Sequence, residues 1–68
     1  MTIDKKLQKE CYNKAIKTVA RNRETTQKHV REILGRSYNL DIPMLTVKYA
    51  VENWTVEYYN REMQARYL

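Results

Sequence analysis

Lys14, Lys17 and Arg21 stand at i, i+3 and i+7, the spacing that brings side chains to one side of a helix. Three cations on one side do no covalent chemistry. They attract anions, phosphate above all, and hold them with a strong dependence on salt. Gln27, Lys28 and Arg31 follow across a polar gap and would extend the same side. Lys14, Lys17, Arg21, Lys28 and Arg31 are therefore the candidate nucleic-acid-binding set. Contacts of this type position a protein on a phosphate backbone without reading bases. The same charges also suit an ordinary solvated face that keeps a small protein in solution.

The charge is divided along the chain. Residues 1–36 hold ten Lys/Arg against four acids, a balance of +6, whereas residues 37–68 hold three against four, a balance of −1. Six of the seven aromatics lie in that second part, and Phe is absent. Tyr and Trp join an apolar ring to a polar tip, which suits a protein interface. Tyr49, Trp54, Tyr58, Tyr59, Met63 and Tyr67 are the candidate interface residues, although in so small a chain some rings must also build the core. Stacking of bases on the rings is a third use, weakened because the rings are not interleaved with Lys/Arg along the sequence.

Residues for catalysis are not assembled. Cys11 sits in an apolar stripe and His29 in the most polar stretch, so no nucleophile–base pair is expected. One Cys and one His cannot supply a four-ligand zinc site. A single Gly leaves no phosphate-cradling loop. The acids have Lys/Arg nearby, as surface ion pairs do. We expect no enzyme, no catalytic residue, no metal and no cofactor.

The stretch Thr26–Gly35 resembles the first helix and turn of a helix-turn-helix motif, and Thr46–Val51 resembles the start of a second helix. Arg36–Ile42 intervenes, longer than the roughly 3–4 residues that join such helices. Of the second segment only Thr46 and Lys48 are placed to touch base edges, and Arg, Asn and Gln are missing there.

The elements that must position these residues are helical. Ile3, Leu7, Cys11, Tyr12, Ala15, Ile16, Val19 and Ala20 make one stripe of a helix over residues 3–21, with Thr2 as the expected cap and Asp4 near its positive end. Residues 21–29 contain no apolar side chain, and Thr25 or Thr26 is a cap for a second helix over 26–35 that buries Val30, Ile33 and Leu34. Gly35 suits a left-handed helix end. In the loop that follows, Leu40 and Ile42 are expected to pin the chain to the core, and Asp41 with Pro43 marks the start of a helix over 43–67. Met44, Val47, Val51, Trp54, Tyr58, Arg61, Ala65 and Leu68 follow a 3-4 spacing, a heptad seam with one polar member. A second row, Tyr49, Val56, Tyr59, Met63 and Tyr67, lies beside or behind it.

With 68 residues and one Cys, the chain can form no internal disulfide. Chains below about 70–80 residues rarely hold more than about 3–5 kcal/mol in their core, so association or tight helix packing must help. No stretch of about 18 apolar residues exists to span a membrane, the N-terminus lacks a secretory apolar run, and a free thiol fits a reducing cytoplasm. We expect a single all-α domain of three helices with a long C-terminal helix, the alternative being a two-helix antiparallel hairpin with a first helix over 3–34. Either should self-associate through the last helix as a homodimer. The expected function is that of a small nucleic-acid-binding accessory or transcriptional regulator. The alternative is a modulator that docks its aromatic helix or basic face on a partner protein. By size and composition alone, inhibitors encoded by phages and mobile elements are of that second kind.

Overall fold

The computed structural model describes residues 4–67 of the chain, and their side chains as far as Arg66. They form three helices, α1 (Lys5–Asn22), α2 (Gln27–Leu34) and α3 (Ile42–Tyr67), so the fold is the expected three-helix, all-α arrangement and not the two-helix hairpin. Among the described residues no helix is long and apolar enough to cross a membrane.

Each helix start has an acceptor for its free backbone donors. Asp4 caps α1, its Oδ1 accepting from the Leu7 N–H at 3.0 Å; the expected cap, Thr2, lies outside the described residues. Thr26 Oγ1 accepts from the His29 N–H at 3.1 Å and opens α2. Asp41 Oδ1 accepts from the Met44 N–H at 2.8 Å and opens α3, with Pro43 in the first turn, where its missing donor costs nothing.

Two expectations about the connections are corrected. Gly35 does not take a left-handed conformation; its φ is −76°. The left-handed residues are Glu24, with φ 54°, and Asn39, with φ 57°. Glu24 closes α1 in a Schellman motif: its N–H donates to the Arg21 carbonyl at 3.2 Å, and the Thr25 N–H donates to the Ala20 carbonyl at 2.9 Å. Nor does Ile42 pin the loop, being 79% exposed, whereas Leu40 is half-buried. Asp41 caps α3 from the residue before Ile42, which makes Ile42 the first helical position and turns it outward. The Lys48 ammonium donates to the Arg36 carbonyl and ties the loop back to α3.

The core gathers Ala15, Ile16, Val19 and Ala20 of α1, Val30 and Ile33 of α2, and Val47 and Val51 of α3. Small and β-branched side chains let the helices approach closely, and Ile16, Val19, Val30 and Val51 are all under 2% exposed. Helices α1 and α3 run antiparallel, with Asp4 at one end meeting Arg66 at 3.4 Å. The heptad seam of α3 packs only over part of its length. Met44, Val47, Val51, Trp54 and Tyr58 meet the core, whereas Arg61 and Ala65 are exposed. The packed body is long and thin, 41 × 24 × 17 Å.

Candidate nucleic-acid interface

All ten Lys/Arg of residues 1–36 are exposed. Among the described residues the ion pairs are Arg61–Glu57, Arg66–Asp4 and Arg66–Glu62, so none of those ten cations is matched to a carboxylate within 4 Å. The one N-terminal acid in an ion pair, Asp4, is engaged by α3, which leaves the basic half of the chain still less compensated.

Lys14, Lys17 and Arg21 project from α1 and Lys28 and Arg31 from α2, all exposed. Arg31 Nη2 donates to Asn13 Oδ1 at 3.2 Å, a contact between residues 18 apart. Asn13 is one turn before Lys17, so this bond brings Arg31 to the edge of the α1 row. Lys28 lies three residues before Arg31 and follows it on the same side of α2. The Asn13–Arg31 bond thus places Arg31 of α2 beside the α1 row. The sequence carries no signal for the Asn13–Arg31 bond, because the angle between α1 and α2 depends on how Val30 and Ile33 seat on α1.

Lys14 also meets an aromatic ring of α3. Its ammonium lies 4.7 Å from the centroid of the Tyr58 ring. Tyr58 stacks on Trp54 with centroids 5.3 Å apart, and the Arg61 guanidinium lies 5.8 Å from the same ring. The Tyr58 hydroxyl reaches Thr18 Oγ1 at 2.6 Å. Thr18 in turn donates to the Lys14 carbonyl at 3.0 Å, so the phenol is the donor and the threonine oxygen its acceptor. Cation and ring, separate along the sequence, are adjacent in the fold.

The six candidate interface residues are split by the packing. Trp54 and Tyr58 are half-buried against the core. Tyr59 and Met63 are half-buried, and Tyr49 is 61% exposed. Tyr67 ends α3, and its side chain lies outside the described residues. Val56, which belongs to the second row, is 55% exposed. Beside it Gln8, Thr55, Tyr59 and Asn60 line a shallow groove between α1 and α3.

Cys11 is buried. Its thiol is pushed above the ordinary value, first by burial and then by the Glu62 carboxylate, with Lys14 opposing. A protonated, enclosed thiol is a poor nucleophile and a poor metal ligand. Among the described residues no group of three or more His, Cys, Asp or Glu is placed to hold a metal ion. No protein-family model, curated protein or solved structure matches this chain.

Proposed function

We propose that this chain is a non-enzymatic binding protein that docks the exposed basic side of α1 and α2 on the phosphate backbone of nucleic acid, as an accessory or regulatory factor. The observation that carries the reading is the uncompensated charge: ten exposed Lys/Arg in residues 1–36, none of them ion-paired among the described residues. Lys17, Arg21, Lys28 and Arg31 carry the phosphate contacts, and Lys14 contributes from above the Tyr58 ring. Backbone contacts of this kind give affinity and little sequence preference.

Titration of the protein with duplex DNA and with single-stranded RNA over a series of salt concentrations tests it. The logarithm of the duplex affinity should fall linearly with that of the salt concentration, with a slope of about −0.9 per phosphate neutralised. Lys17→Glu, Arg21→Glu and Lys28→Glu together should abolish binding and leave the helical signal unchanged. Lys14 is kept out of this set because its contact with Tyr58 would mix folding with binding. Salt-indifferent affinity, or affinity unchanged in the triple variant, would sink the reading.

A second reading, a modulator that meets an acidic protein surface, rests on the same unpaired cations. Capture from a lysate treated with nuclease separates the two: the same triple variant should lose a nuclease-resistant protein partner only under this second reading.

A further inference from the structure

Rings and cations lie far apart along the sequence, which counts against base stacking, but the fold sets them side by side. Lys14 and Arg21 stand at i and i+7 on α1, and Thr18 falls between them on the same side. The Tyr58 hydroxyl bonds Thr18 at 2.6 Å, and the Lys14 ammonium lies 4.7 Å from the centroid of the Tyr58 ring. Helices α1 and α3 are antiparallel. Trp54, one turn before Tyr58 on α3, is therefore level with the turn of α1 that follows Thr18 and holds Arg21.

Of the two rings, Trp54 is the one with surface to offer. Tyr58 is already engaged by the indole, by Lys14 and by Thr18. Trp54 packs against the core over only part of its surface and is half-buried. No described residue accepts from its indole N–H. No buried side-chain nitrogen or oxygen among the described residues is left without a partner, so that N–H is at the surface.

We propose that Trp54 stacks on an unpaired base of a strand whose phosphates lie on Lys17 and Arg21, so that the ligand of the basic side is single-stranded nucleic acid. This rests on the phosphate docking set out above and adds a contact for the base. A ring beside exposed cations meets both parts of a nucleotide, the base through its π-face and the phosphate through its charge. An uncharged peptide would leave the cations unmatched. A duplex would have to unstack and unpair a base before the indole could reach it.

Charge also gives the strand a direction. Towards the start of α1, Glu10 and Glu62 line the hollow beside Lys14 and Tyr58, and their carboxylates repel phosphate. Towards its end, Lys17 and Arg21 are exposed and, among the described residues, in no ion pair. The strand is thus drawn from Trp54 towards the end of α1.

Trp54 is the sole tryptophan, so the fluorescence of the full chain reports stacking at this one position. Titration at fixed salt uses oligo(dT), oligo(U), an abasic strand and a duplex, all of one length. Oligo(dT) or oligo(U) should quench the emission and bind about tenfold more tightly than the abasic strand, which has the phosphates without the bases. The tighter of the two identifies the strand as DNA or RNA. The duplex should bind more weakly than that strand and leave the emission nearly unmoved. Trp54→Leu should erase the difference between the base-bearing and abasic strands, and Trp54→Tyr, which keeps a ring, should retain part of it. Should Trp54→Leu fail to fold, the native emission and the abasic comparison still decide. Salt-dependent binding of every probe with unmoved emission, or equal affinity for the base-bearing and abasic strands, would overturn the stacking and leave the phosphate docking standing. Binding of no probe would remove both.

Discussion

The hydroxyl of Tyr58 lies 2.6 Å from Oγ1 of Thr18, forty positions earlier in the chain. This bond joins the two antiparallel helices. Thr18 is the one buried polar residue among the described residues, 5% exposed, and both its acceptor and donor roles are filled. The ring that makes the bond is also held by Trp54 on one side and by Lys14 on another.

Tyr58→Phe should remove the bond and keep the ring, at a cost of about 1 kcal/mol. Tyr58→Ala should cost more, about 3 kcal/mol, because the stacking on Trp54 and the packing against the core go as well. Urea denaturation followed by circular dichroism measures both. Equal losses for the two substitutions would mean that the hydroxyl, not the ring, holds the helices together.

The single glycine and the left-handed helix end are in different places. Glu24 occupies the Schellman position with φ 54°, where an L side chain costs about 1 kcal/mol. Gly35 has an ordinary helical φ, and a Cβ there would meet the Arg31 and Glu32 carbonyls at a normal 3.6 Å. Glu24→Gly and Gly35→Ala should therefore each raise the denaturation midpoint, by about 0.5–1 kcal/mol of stability. The reverse substitution, Gly35→Glu, should be tolerated; Glu24→Val, β-branched at positive φ, should not.

Ile16 is wholly buried at the centre of the core. Ile16→Ala is expected to cost about 2–5 kcal/mol, which rivals the about 3–5 kcal/mol that a core of this size supplies. The variant should be largely unfolded at room temperature by circular dichroism. A cooperative, native-like melt would show that another source of stability outweighs the core.

Cys11 gives stability a pH dependence in the alkaline range. The folded chain holds its thiol proton more tightly than the unfolded chain does, because burial and Glu62 oppose the thiolate. That contribution is complete below the ordinary thiol pKa and is lost as pH rises through the raised one. The stability gap between the native chain and Cys11→Ala should thus narrow as the solution is made alkaline. A gap that stays constant would contradict the assigned direction. In the same chain, thiol reagents should modify Cys11 slowly at neutral pH and fast in denaturant.

The sequence by itself determined the elements. Apolar spacing set the helical segments, the polar stretch over residues 21–29 pointed to a break but left a continuous first helix open, and Thr25 or Thr26 and Asp41 marked two starts, because capping and periodicity act over only a few residues; the structure broke the helix and chose Thr26. The cations of the candidate site were legible too, since an exposed Lys or Arg needs no partner to be found. Only the tertiary structure decided which ring belonged to which surface. Trp54 and Tyr58 turn to the core and Tyr49 and Val56 turn away, although both rows repeat with helical period. It also decided that the helix end of α1 takes Glu24, and not a glycine, into the left-handed region, and that Ile42 points outward. Lys14 over Tyr58, Arg31 on Asn13 and Tyr58 on Thr18 are contacts between residues far apart in the chain. Their existence depends on the angles at which the helices cross, and those angles follow from the joint packing of Ile16, Val19, Val30 and Val51, which no local pattern encodes.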